Sequence, residues 1–125
     1  MTNGQSFHKK LKLLIHEYVL LTYAQSKKYP TDEKYGLTSQ DRRAAVSVML
    51  NYIEGFARQR PTVMLNFYET SYASLKESIY CRFLAMNLSY LTPDEYETAL
   101  GLKEQIAPML YSTTKGLRSD IDNKC

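Results

Sequence analysis

Apolar residues recur along the first part of the chain at alternating steps of four and three: Phe7, Leu11, Leu14, Tyr18 and Leu21. Such steps return a side chain to one face of an α-helix. The pattern therefore predicts a helix over about 6–29, packed at a shallow angle on its neighbours. Leu13, Ile15, Val19 and Leu20 widen the stripe, so this helix can touch two partners at once. Pro30 disfavours helical geometry at Tyr29 and sets the end. A second helix is expected over 38–57, with Val46, Met49 or Leu50, Ile53 and Phe56 turned inward. Its Ala44, Ala45 and Ser47 are small enough to admit a neighbouring backbone. Gly55 falls near the end, where glycine leaves a helix without steric cost.

Pro61 suits the first turn of a third helix over 61–88. Its stripe is Leu65, Tyr68, Tyr72, Leu75, Ile79, Phe83 and Met86. The fourth start, Thr92-Pro93-Asp94-Glu95, combines an N-cap threonine, a proline at the first helical position and a glutamate three residues after the cap. That helix is expected over 93–115, with Tyr96, Leu100, Ile106, Leu110 and Leu117 inward and a kink or break at Pro108. The polar stretch 117–125 is expected to fray. Nothing alternates with period two over a useful length, which excludes a sheet. The fold class is all-α: one domain over 1–125, an antiparallel up-down four-helix bundle.

Composition narrows the classes. The 125 residues suffice for one domain, and 44% hydrophobic content supplies a core. No apolar run approaches the roughly 20 residues that span a bilayer. MTNGQSFHKK lacks the apolar stretch of a secretory signal, so a cytoplasmic protein without a membrane partner is expected. Cys81 and Cys125 form no CxxC pair; Cys81 reads as a small apolar helix residue and Cys125 as mobile. His8 and His16 have no Glu three residues before them, so the Glu-x-x-His pairs of di-metal bundles are missing. There is no phosphate loop, no dinucleotide fingerprint and no serine matched to a base. The expectation is no enzyme, no catalytic residue, no cofactor and no metal.

Charge is uneven. Residues 1–60 carry a net +5 and the remainder −2. The basic half offers Lys9, Lys10, Lys12, Lys27, Lys28, Arg42, Arg43, Arg58 and Arg60 to an acidic partner, whether RNA, DNA or protein, or else forms a solvated helix surface. Arg42 and Arg43 stand near the positive end of the second helix, where a cation needs an offset. Glu77 or an external phosphate could supply it. Asn51 and Glu54 could join a polar network or simply cap the helix end. Of eleven tyrosines, Tyr18, Tyr68, Tyr72 and Tyr96 fall on inward stripes. Tyr29, Tyr35, Tyr52, Tyr80, Tyr90 and Tyr111 are expected to be more exposed, where they could stack on bases or fill a subunit interface.

One stretch goes beyond a generic amphipathic helix. Pro30 and Glu33 precede Tyr35-Gly36-Leu37, then Ser39-Gln40, Arg42-Arg43-Ala44-Ala45 with Ser47, and Asn51 with Glu54-Gly55. Further on come Ser74-Leu75 with Glu77, and Tyr90-Leu91 before Pro93. This order resembles the bacterial 23S ribosomal RNA intervening-sequence proteins, from about Phe7 to Leu117. Asp41 departs from the pattern, standing where an apolar residue is more usual. Ala73 replaces a frequent glycine, and Pro108 sits in a helix normally uninterrupted. The family is similar in structure to the accessory variability determinant of diversity-generating retroelements. The resemblance implies a ring-like homo-oligomer, a pentamer, that associates with RNA or DNA without being an enzyme. It also implies a possible protein partner such as a reverse transcriptase.

Overall fold

The computed structural model describes residues 3–123, which form helices and their connections with no strand among them. Four helices run in order: α1 (Asn3–Ser26), α2 (Leu37–Ala57), α3 (Pro61–Asn87) and α4 (Pro93–Asn123), with a 3-10 turn, Thr31–Glu33, between α1 and α2. Each packs on its chain neighbour, and α1 closes the square against α4. Paired side chains give the directions. The start of α1 meets the end of α2 through His8 and Tyr52, and Asp41 and Ser78 join the start of α2 to the later part of α3. Arg118 pairs with Glu69 across α3 and α4. The result is an antiparallel bundle.

The helix ends follow local chemistry. α1 stops at Ser26, three residues before the position expected from Pro30, because Lys28 and Tyr29 N–H turn back to the carbonyls of Gln25 and Ser26 at 3.1 Å each. Glu33 Oε1 accepts the Leu37 N–H at 3.0 Å and caps α2. The capping box of α4 forms in both directions: Glu95 N–H donates to Thr92 Oγ1 at 3.1 Å, and Thr92 N–H donates to Glu95 Oε1 at 2.8 Å.

Two expectations for α4 are corrected. The helix passes through Pro108 unbroken and runs to Asn123 instead of ending near 115 and fraying. Pro108 lies on an exposed face, as does Glu104 one turn earlier, so the carbonyl that loses its donor is open to water. Cys125 lies outside the described residues.

The larger correction concerns which face of α2 is inside. Asp41, Ala44, Ala45, Val48, Tyr52 and Gly55 are buried, whereas Leu50, Ile53 and Phe56 are 57%, 46% and 50% exposed. The helix is turned so that its small face packs, because α3 presents a matching face of serines. Ser71 donates to the Val48 carbonyl at 2.7 Å, Ser47 and Ser74 hydroxyls meet at 2.8 Å, and Ser78 donates to Asp41 Oδ1 at 2.9 Å. Small side chains let the backbones approach, and each hydroxyl finds a partner across the gap. Gly55 belongs to this contact and is not a helix terminator: a Cβ there would stand 2.7 Å from the Tyr68 ring. Tyr29 and Tyr52, expected near the surface, are buried as well.

Candidate binding surface and the buried ion pair

The upper half of the core, where α1 ends and α2 begins, is built around charge. Asp41 and Arg82 are fully buried and paired, with Arg82 Nε donating to Asp41 Oδ2 at 2.8 Å. Tyr29 and Ser78 donate to the same carboxylate at 2.8 and 2.9 Å. Tyr18 donates to Ser78 at 2.9 Å, and its ring lies beneath the guanidinium, 5.1 Å from centroid to Cζ. Arg82 Nη1 donates to Gln25 Oε1 at 2.6 Å, and Gln25 Nε2 reaches the Glu95 carbonyl at 2.8 Å. All four helices are thereby joined through one ion pair. Burial pushes the Tyr18 phenol up to about 12 and the Cys81 thiol up to about 11. The Tyr29 phenol is raised by burial and by the Asp41 charge. Asp41, the one departure from the resemblance that fell inside α2, is thus the centre of the network. Its position in register with Ala44, Ala45 and Val48 was the signal for this role.

The cations expected to bind a partner divide into two groups. Lys9, Lys10 and Lys12 lie near the start of α1, beside the end of α2; Lys12 sits over the Phe56 ring at 5.5 Å. Arg58 and Arg60 lie in the connection from α2 to α3 at this same end. Lys27, Lys28, Arg42 and Arg43 lie at the opposite end. Fifteen residues of helix between Lys12 and Lys27 make the separation about 22 Å. Lys28 pairs with Glu95, and Arg58 with Glu54 at 2.6 Å. The other seven form no ion pair among the described residues.

Arg42 and Arg43 stand past the first turn of α2, which begins at Leu37, so the helix dipole weighs little on them. Arg42 is steadied by protein groups: its Nε donates to the buried Ser26 hydroxyl at 2.7 Å, and its guanidinium covers the Tyr23 ring at 4.8 Å. Arg43 shares a small cleft with Glu77 but forms no ion pair with it. Asn51 donates to the Ser47 carbonyl and hydroxyl at 2.9 and 2.8 Å and so enters the serine seam, whereas Glu54 stays with Arg58.

A groove of about 640 Å³ opens beside this upper cationic group. Lys34, Arg42 and Arg43 line it together with Tyr23 and Tyr35, and no Asp or Glu is among its lining residues. Lys34 and Tyr35 were not marked as a pair in the sequence. The signal was their adjacency in a connection too short to hide either side chain.

At the lower end, His8 is hydrogen-bonded to Tyr52 and packs edge-on against Phe56 at 5.0 Å. Burial, with Lys12 nearby, holds the imidazole below its ordinary range. Among the described residues no group of three His, Cys, Asp or Glu side chains could hold a metal ion, and no helix is long and apolar enough to cross a membrane.

The model of the 23S rRNA-intervening sequence protein family matches residues 11–112. The chain belongs to that family. Its fold is also that of a solved protein of unknown function from the S23 ribosomal protein family of Bacteroides thetaiotaomicron. The TM-score is 0.77 at 20% identity, over 84% of this chain and 98% of the other. No curated protein matches the sequence. Membership of the 23S rRNA-intervening sequence family thus accounts for the Tyr35–Gly55 motif, and its residues divide by role. Ala45 and Gly55 pack in the core between α2 and α3, whereas Tyr35, Ser39, Arg43 and Asn51 line the groove, Asn51 bonding back to Ser47 on its own helix.

Proposed function

We propose that the protein is a non-enzymatic homo-oligomer of the cytoplasm, a ring of five copies, that associates with structured RNA or DNA through backbone charge. The observation that carries this reading is the set of seven cations without a carboxylate partner among the described residues, divided between two ends of the bundle about 22 Å apart. Such spacing suits phosphates on successive parts of a folded nucleic acid, where contacts fix position and shape supplies selectivity. The family description, which refers to a 23S rRNA intervening sequence, favours RNA. Self-association is supported by the apolar residues left outside the core, among them Leu13, Ile53 and Phe56 toward the lower end. Where such residues lie together as a contiguous patch they mark an interaction site.

The same apolar residues support a second reading, a docking subunit for another protein such as a reverse transcriptase that holds no nucleic acid itself. A salt series separates the two. Binding to a structured RNA through six or more phosphates should weaken by about three decades or more between 50 and 200 mM salt. Replacing Lys9, Lys10 and Lys12 together with Gln should weaken binding and flatten that slope. No binding at low salt would leave the docking reading. Native mass spectrometry tests the ring, and a monomer at micromolar concentration would overturn it.

A further inference from the structure

The upper groove has the makings of a nucleotide site that charge alone does not describe. Tyr35 is 89% exposed, an unusual position for a ring on a short connection, and Lys34 Nζ stands 5.5 Å from its centroid. Arg42 is held by Ser26 through Nε and by the Tyr23 ring beneath it, while its terminal Nη groups donate no hydrogen bond among the described residues. Arg43 is exposed and forms no ion pair among the described residues. Val46 and Leu50 form an apolar floor, and the hydroxyls of Thr38 and Ser39 line the edge.

Three cations beside an exposed ring and apolar side chains, with no carboxylate among the lining residues, attract an anion and give a flat group something to stack on. They complement an occupant that is both anionic and flat. An acidic peptide would satisfy the cations and leave the Tyr35 face idle. A paired duplex would satisfy the cations too, but its bases are stacked on one another and cannot reach the ring. We infer that this groove binds one or two unpaired nucleotides of RNA or single-stranded DNA, with a base stacked on Tyr35 and its flanking phosphates held by Arg42, Arg43 and Lys34. Tracking of a backbone by cations beside a stacking platform is how single strands are held without strong sequence preference. The site rests on the nucleic-acid reading above and specifies it: the shape recognised includes an unpaired loop or end.

The test is fluorescence anisotropy of the full chain with a labelled 12-nucleotide oligouridylate and oligothymidylate. A blunt duplex of equal length and a polyglutamate peptide serve as rivals. Wild type is expected to prefer the single strands. Tyr35→Ala should weaken single-strand binding by about tenfold, as expected for loss of one base stack, and leave the duplex affinity unchanged. Tyr35→Phe should retain the affinity. Arg43→Gln should weaken binding and lower the salt slope by about one. Because Tyr35 and Arg43 are exposed, circular dichroism of each variant should match wild type. If Tyr35→Ala binds single strands as wild type does, while the Lys9, Lys10 and Lys12 triple variant loses binding, the groove site falls and the nucleic-acid reading stands. If no nucleic acid binds at 50 mM salt, both fall. Tyr35-independent capture of polyglutamate in place of the oligonucleotides would assign the groove to an acidic protein partner and overturn the site.

Discussion

The two ends of this bundle solve the same packing problem with opposite chemistry. At the upper end the helices meet around the Asp41–Arg82 pair, sealed from water and bonded to Tyr29, Ser78 and Gln25. At the lower end they meet around rings: Tyr52 lies 5.4 Å from Tyr68, whose face is pressed on Gly55, and His8 closes the edge. A buried ion pair costs desolvation that its attraction roughly offsets, so its net stabilisation is small while its geometric demand is high. An aromatic cluster stabilises through area and tolerates small shifts. The upper end therefore fixes which helix faces meet, and the lower end supplies more of the driving force.

Breaking the charge network gives the largest effect expected. Arg82→Met leaves Asp41 buried without its partner and should cost about 3–5 kcal/mol, read by urea denaturation. Adding Asp41→Leu to it should restore much of that loss, since an apolar pair of similar volume is often neutral or better. If the double variant is as unstable as the single, the network is a source of stability and the contrast between the ends fails.

Next is the aromatic end. Gly55→Ala places a methyl against a ring already at van der Waals limit, and overpacking of this kind costs about 1–3 kcal/mol. Helix propensity favours alanine by about 1 kcal/mol, so a neutral result would mean that the Tyr68 ring simply moves aside. The thermal midpoint of this variant decides it.

The ends should also fail at opposite extremes of pH. His8 has a lowered pKa in the fold, so the unfolded chain binds its proton more readily. The contribution is present above pH 6.5 and lost as pH falls through the folded value. Tyr18 and Cys81 have raised values, about 12 and 11, from ordinary values of 10.0 and 9.0. Their contribution is intact below pH 9 and lost as pH climbs through 11 and 12. Thermal melts across pH should show an acid limb that flattens in His8→Gln and an alkaline limb that does not. An acid limb unchanged by that substitution would assign it to other groups.

The smallest effect belongs to the rim of the upper end. Lys28 and Glu95 pair at the surface, and Glu95 is held below its usual range by Lys28 and by the Thr92 backbone. An exposed pair contributes about 0.2–1 kcal/mol. Lys28→Gln should therefore shift the urea midpoint little, and less still in high salt. A loss as large as that of Arg82→Met would mean that the charge network extends to the surface.

Periodicity and caps sufficed for the number and order of the helices and for where α2, α3 and α4 start, though not for the end of α4. The reason is local: proline geometry, the Thr92–Glu95 box and steps of four and three act within a few residues. The basic residues were legible for the same reason, as were the candidates at the head of α2. What local pattern could not decide was the rotation of α2. Val46, Leu50 and Ile53 form as good a stripe as Ala45, Val48 and Tyr52, and hydrophobicity favours the first.

The choice between them rests on residues from another helix. The serines at 71, 74 and 78 admit a close neighbour only if its small face is presented, and Arg82 requires a buried carboxylate opposite. So the sequence by itself determined an all-α chain with a cationic first half. Only the tertiary structure decided that Asp41 lies at the centre, that the larger apolar residues of α2 face outward, and that Tyr35 borders a groove with Arg42 and Arg43. Burial is a property of pairs of faces, and one face alone does not carry it.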